Sequence, residues 1–86
     1  MFFVYILKSD TTDRSYVGSS HNVAERIRRH NAGHAKSTKH GIPWQLVHLE
    51  AYDTRSDAVR REGYLKTGVG REEVARFLLT FTDSTC

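Results

Sequence analysis

Several absences narrow the possibilities before any motif is read. The 86 residues include one cysteine, Cys86. Neither an internal disulfide nor a cysteine-held zinc site can therefore form, which fits a reducing, cytoplasmic setting. With one proline and six glycines, no linker, repeat or low-complexity tract is visible. No apolar stretch approaches the roughly 18 residues of a membrane span. The opening MFFVYIL is too short for a signal peptide, lacks a basic leader and alternates like a strand, so it reads as part of the fold. The five histidines show no metal spacing: His30 and His34 are four apart, but Gly33 between them ends the helix that would align them. Net charge is small, +3, a mild lean toward nucleic acid.

What is present fits one small domain over residues 1–81, with a disordered tail expected at 82–86. A chain of this size buries roughly 60–65% of its unfolded surface, enough for one modest core. The first strand is expected at Phe3–Lys8. Phe3, Tyr5 and Leu7 share one face and Val4 and Ile6 the other, so both faces are apolar and the strand is central. SDTTD is a turn, and a four-residue turn over Ser9–Thr12 pairs Tyr5 with Tyr16. Asn22 is an N-cap and Gly33 a C-terminal stop for a helix over Val23–Asn31. A basic loop, AKSTKHGIP, precedes a strand, WQLVHLEAY, with Gln45, Val47, Leu49 and Ala51 on one side. A helix follows over Asp57–Lys66. TGVG breaks it, and a last helix spans Glu72–Phe81 with Val74, Phe77, Leu78 and Phe81 on one stripe. The order is ββαβαα, an α+β fold with a three-stranded sheet in which the outer two strands run parallel.

Polar groups fall where helices should bury apolar ones. The inward stripe of the first helix is Val23, Arg26, Ile27 and His30, and that of the second is Ala58, Glu62 and Leu65. An unpaired arginine or glutamate there costs several kcal/mol. For any one residue the simpler reading is structural: an Arg26–Glu62 ion pair, a histidine cap, tyrosines in the sheet. The joint pattern favours a site. Two phenols, a guanidinium, an imidazole and a carboxylate converge beside Gly18-Ser19-Ser20, a segment with little bulk. Those are the parts that phosphodiester cleavage needs: a base for water, a cation for phosphate charge and a carboxylate to hold a metal. The five side chains are expected to line one concave patch.

FVY at 3–5, YVG at 16–18, NVAERIRRHNAG at 22–33 and AVRREGYLKTGVGRE at 58–72 resemble, in order and spacing, the motifs of the GIY-YIG nuclease superfamily, and most closely its short bacterial UPF0213 members. The resemblance covers about residues 3–80. It implies a three-stranded antiparallel sheet flanked by helices and a metal-dependent DNA endonuclease, single-strand- or structure-specific. Tyr5 and Tyr16 become the motif tyrosines, one of them the base or water-positioning group. Gly18 becomes the motif glycine, Arg26 the phosphate-neutralising cation and His30 an aid to proton transfer or a phosphate contact. Glu62 becomes the sole protein ligand of Mg²⁺ (or Mn²⁺), completed by waters. The chain departs from the pattern at Phe3, where a glycine often stands, and in having no asparagine after Glu62. The alternative is a nucleic-acid-binding module of the same fold with little catalysis. In either case Arg28, Arg29, Lys36, Lys39 and Lys66, with Arg60, are the candidate contacts to DNA, and Trp44 is expected in the core.

Overall fold

A computed structural model describes residues 1–36 and 38–84, with side chains as far as residue 80. Strands β1 (Phe2–Ser9) and β2 (Ser15–Ser20) form an antiparallel hairpin. Strand β3 (Trp44–Tyr52) pairs with the other edge of β1, also antiparallel, giving the order β2-β1-β3. Helices α1 (Val23–Asn31), α2 (Arg55–Leu65) and α3 (Gly68–Ser84) complete the expected ββαβαα order. The central place of β1 follows from its two apolar faces. Val4 and Ile6 pack with Val17, Ala58, Leu65 and Val74 beneath α2 and α3. Tyr5 and Leu7 pack with Trp44 and, from α1, Val23 and Ile27. Helices therefore cover both sheet faces, α1 on one and α2 with α3 on the other.

The ends of α1 are set as the sequence predicts. The Asn22 side chain accepts the Glu25 amide at 3.1 Å. At the other end Gly33 turns left-handed (φ 82°), so that its amide reaches the His30 carbonyl and that of His34 the Arg29 carbonyl. Other boundaries differ from expectation. Thr54 caps α2 by accepting the Asp57 amide at 3.1 Å, so that helix begins two residues early. The break after α2 shrinks to Lys66 and Thr67. The Thr67 hydroxyl donates to the Tyr64 carbonyl at 2.6 Å and accepts the Gly70 amide at 3.2 Å, which restarts a helix at Gly68 despite its glycines. Gly70 is required there, because a Cβ would strike the Tyr64 carbonyl oxygen and lie 2.6 Å from Leu65 Cα. Helix α3 continues to Ser84, past the predicted stop at Phe81, so residues 82–84 of the tail expected at 82–86 are helical, and 85 and 86 lie outside the described residues.

Two registers depart from the sequence reading. In the hairpin Leu7 lies opposite Tyr16 and Tyr5 opposite Gly18. The cause is a longer turn: the Ser9 hydroxyl accepts the Thr11 and Thr12 amides, and the Ser9 amide closes on the Arg14 carbonyl at 3.0 Å. The shift is by two residues, so Tyr5 and Tyr16 keep a common face. In β3, Ile6 pairs with His48 but Leu7 with Leu46, leaving Val47 as a bulge that breaks the expected alternation. His48, Glu50 and Tyr52 then turn toward α2 and α3, while Leu46 and Leu49 are exposed. Glu50 accepts from Arg61 at 2.9 and 3.1 Å, from His48 at 2.9 Å and from Tyr52 at 2.7 Å. Arg61 also binds Glu73 at 3.0 Å, which ties β3 to both helices. Burial raises the Glu50 pKa, but the hydrogen bonds from Arg61, His48 and Tyr52 outweigh it and hold the carboxyl at about 2.

Candidate active site

Gly18 explains why a hairpin would carry a nearly empty segment. Across from it, Tyr5 is 2% exposed. A Cβ on residue 18 would lie 2.5 Å from the Tyr5 hydroxyl, 2.6 Å from Tyr5 Cζ and 3.0 Å from Tyr16 Cε2. The missing side chain is the space that both rings occupy, and their centroids are 6.2 Å apart. Burial, then the neighbouring Tyr16, pushes the Tyr5 phenol up to about 12 against a smaller opposing pull from Arg26. Tyr5 is thus a proton-bearing donor at neutral pH. Tyr16 is only half-buried.

His30 closes the phenol pair from α1. It is 4% exposed, with its ring centroid 4.8 Å from that of Tyr16. Its Nδ1 lies 2.8 Å from the Thr38 hydroxyl, which donates its own proton to the Ala35 carbonyl at 3.3 Å. With the Thr38 proton on that carbonyl, Nδ1 carries the ring proton and donates it, and Nε2 is the acceptor. That atom faces the Tyr5 hydroxyl at 3.3 Å. Burial, with Arg26 nearby, lowers the imidazole pKa, so the ring is neutral. Thr38 is held in turn, since its carbonyl accepts the Trp44 indole N–H at 2.7 Å. Asn31 clamps the Trp44 backbone on both sides, at 2.6 and 3.2 Å. Trp44 is core, as its sequence context suggests. His30 is thus secluded, with Nε2 facing the Tyr5 hydroxyl and Nδ1 facing Thr38.

Arg26 and Glu62 are carried by helices on opposite faces of the sheet, and Tyr5 and His30 are buried, so the five side chains do not line one concave patch as the sequence predicts. Between Arg26 and Glu62 lies the end of β2, where Ser19 and Ser20 present little bulk. Ser19 links the two sides. Its hydroxyl donates to Glu62 Oε1 at 2.6 Å, and it lines a cleft of about 240 Å³ with Arg26 and Ala58. Both Arg26 and Glu62 act electrostatically on the Tyr5 hydroxyl. Arg26 is exposed, unlike its inward-stripe neighbours Val23, Ile27 and His30. Among the described residues its guanidinium has neither an ion pair nor a side-chain hydrogen bond. The structural Arg26–Glu62 pair is therefore not formed. Glu62 Oε2 instead accepts from Lys66 Nζ at 2.8 Å, and that ammonium stands 5.7 Å from the Tyr16 ring centroid.

Among the described residues no cluster of three histidine, cysteine or carboxylate side chains could enclose a metal. Glu62 stands alone, half-buried, with each oxygen taking one hydrogen bond and keeping lone-pair capacity. That donor set fits an ion of the Mg²⁺ type, which retains most of its waters and needs one or two carboxylates.

The predicted cationic surface divides. Arg28 and Arg29 are exposed but bind Glu25, at 2.7 and 3.2 Å. The Arg28 hydrogen bond, more than that of Arg29, holds the Glu25 carboxyl at about 2. Lys36, Lys39 and Arg60 are exposed. Lys66 is also exposed, but its ammonium is paired with Glu62. Sequence reasoning missed Ser19 and Thr38 as the groups that fix Glu62 and His30. The only signal was a hydroxyl directly after the motif glycine for one, and none for the other.

Residues 1–73 match the family described as the GIY-YIG catalytic domain. A UPF0213 protein of Haloquadratum walsbyi is 46% identical over 67 residues, which cover 76% of this chain and 73% of that protein. A UPF0213 protein of Staphylococcus aureus is 45% identical over 67 residues, covering 76% of this chain and 79% of its own length.

Proposed function

Because the chain belongs to the GIY-YIG family, a family of nuclease domains, we propose that it is a metal-dependent DNA endonuclease acting on single-stranded or branched substrates. The observation that carries this reading is the unpartnered Arg26 guanidinium, which lines a cleft with Ser19 and acts electrostatically on the Tyr5 hydroxyl. A free cation beside phenols and a carboxylate is the arrangement that receives a phosphodiester. Arg26 binds the scissile phosphate. Tyr16, the more open phenol, orients the attacking water and is the candidate base. Tyr5 donates a hydrogen bond from its retained proton, and His30 Nε2 is placed to accept that proton. Glu62 would hold Mg²⁺ or Mn²⁺, which supplies charge stabilisation at the leaving oxygen and a more acidic bound water. Lys36 and Lys39 extend the phosphate track beyond Arg26.

One observation favours a second reading, a binding module without catalysis: each Glu62 oxygen already takes a partner of the protein's own, Ser19 on one and the Lys66 ammonium on the other. Glu62→Gln separates the two. It keeps the size and the acceptor for Ser19, but it replaces the oxygen that accepts from Lys66 with an amide donor and removes the charge that attracts a divalent ion. The variant should fold with a melting temperature near wild type and bind DNA. Cleavage of labelled single-stranded and branched DNA with Mg²⁺ or Mn²⁺, measured against EDTA, should fall by several orders of magnitude. Wild-type cleavage by the variant would overturn Glu62 as the metal ligand, and no metal-dependent cleavage by the native chain would leave the binding module standing instead.

A further inference from the structure

A cleft of about 710 Å³ lies between the β1–β2 turn with the start of β2 on one side and the α2–α3 corner on the other. It shares Tyr16 and Lys66 with the candidate active site and so opens directly onto it. Its charge is one-sided: Arg14, Lys66 and Arg71 line it against a single carboxylate, Asp13. Between them the lining is apolar, with Val17, Ala75 and Leu78 among its members. Arg14 and Arg71 are exposed, and neither guanidinium has a carboxylate partner among the described residues. Both stand on fixed backbone. The Arg14 carbonyl accepts the Ser9 amide at 3.0 Å, and the Arg71 amide donates to the Thr67 carbonyl at 2.9 Å in the first turn of α3. The volume lies within the roughly 300–1,000 Å³ usual for small-molecule clefts.

We propose that this cleft is a nucleotide subsite, holding an unpaired base of the DNA strand against its apolar lining while Arg14 and Arg71 take the adjoining phosphates. The chemistry selects that occupant. Guanidiniums unoccupied by carboxylates suit phosphate oxygens. An apolar surface between them suits the flat face of a base, which a duplex keeps covered by its neighbours but an unstacked strand offers. The shared Tyr16 and Lys66 mean that a strand seated here continues to Arg26. This assignment of a substrate contact rests on the nuclease reading for the strand's destination, though not for its binding.

The test is fluorescence anisotropy of a short labelled oligothymidylate with the full chain in EDTA, so that cleavage plays no part. In the Arg14→Ala/Arg71→Ala double variant Kd should rise about tenfold. The slope of log K against log salt should shrink by about 1.4, at ~0.7 for each single-strand phosphate that is no longer neutralised. Ala75→Trp fills the cleft from an exposed position without changing charge. It should weaken thymidylate binding with the salt slope intact and leave duplex binding unchanged. An abasic oligonucleotide should bind the native chain as weakly as thymidylate binds Ala75→Trp. Circular dichroism melting checks that both variants fold. Unchanged thymidylate affinity in both variants, or equal losses for duplex and single strand in Ala75→Trp, overturns the subsite. If that occurs while Glu62→Gln still abolishes cleavage, the nuclease reading stands without it. If no cleavage is found but the variants lose thymidylate as expected, the subsite stands alone.

Discussion

Replacing Gly18 with alanine adds one methyl group where β2 passes Tyr5. The new carbon would lie 2.5 Å from the Tyr5 hydroxyl and 2.6 Å from Cζ, whereas unstrained contacts sit at about 3.5 Å or more. About an ångström must be found. Tyr5 has little room to yield, being 2% exposed, packed with Leu7 and Trp44 and facing His30. Over-packing of this kind costs about 1–3 kcal/mol. Alanine offsets part of that, since it is better than glycine in a strand by about 0.5–1 kcal/mol. The net expectation is a loss of about 1–2 kcal/mol. For a domain of this size that lowers Tm by about 4–16 °C. The larger effect should be functional. Pushing the ring aside breaks the contact between the Tyr5 hydroxyl and His30 Nε2, now 3.3 Å. A positioned proton-transfer group is worth roughly 10²–10⁴ in rate, so cleavage of labelled DNA should fall at least tenfold even well below the new Tm. Thermal melting and a cleavage assay read the two effects separately. A Gly18→Ala protein with native Tm and native activity would refute the account of Gly18 as space reserved for the phenols.

Three further outcomes follow from the same geometry. Lys36→Ala/Lys39→Ala should weaken DNA binding across all sequences and flatten its salt dependence by about one unit for each phosphate left without its lysine, and an unchanged slope would show that DNA runs elsewhere. Thr38→Val strands the buried Nδ1–H of His30, which costs about 1–3 kcal/mol in urea denaturation, and it should shift the pH profile of cleavage, as a purely structural loss would not. The folded-state pKa of His30 lies below the ~6.5 of an unfolded chain, so the unfolded state takes up the proton first on acidification. The stability that the neutral ring contributes is then complete above about pH 6.5 and is lost as the pH falls below it. Wild type should lose more stability than His30→Gln between about pH 7 and pH 5, and equal losses would contradict the neutral-ring assignment.

The parts of the fold legible in the sequence are those fixed by local chemistry. The Asn22 cap, the Gly33 stop and the two apolar faces of β1 needed no tertiary information. The hairpin register needed some, because Ser9 organises a turn longer than its composition suggests. The bulge at Val47 was invisible, and with it the inward turn of Glu50 toward Arg61, since an alternating strand gives no sign of an extra residue. In the site, the residue types were readable but their pairing was not. A helical stripe placed Arg26 inward, where the simpler reading would pair it with Glu62. The geometry instead leaves Arg26 in solvent and gives Glu62 to Ser19 and Lys66. Which of several nearby donors a carboxylate takes depends on distances of an ångström, and spacing along a chain does not encode those.

The loop between α1 and β3 has a double duty that constrains how it can be engineered. It presents Lys36 and Lys39 at the surface, and the same few residues supply the Ala35 carbonyl and the Thr38 hydroxyl that set the imidazole proton. Its far end is anchored by the Trp44 indole on the Thr38 carbonyl. A designer who exchanged this loop to retune substrate preference would also rewire proton handling, however far the exchanged lysines lie from the phenols. Retuning would have to proceed one side chain at a time at 36 and 39, with 35, 38 and 44 kept as a frame. Grafts taken whole from a relative should transfer specificity only when that frame travels with them.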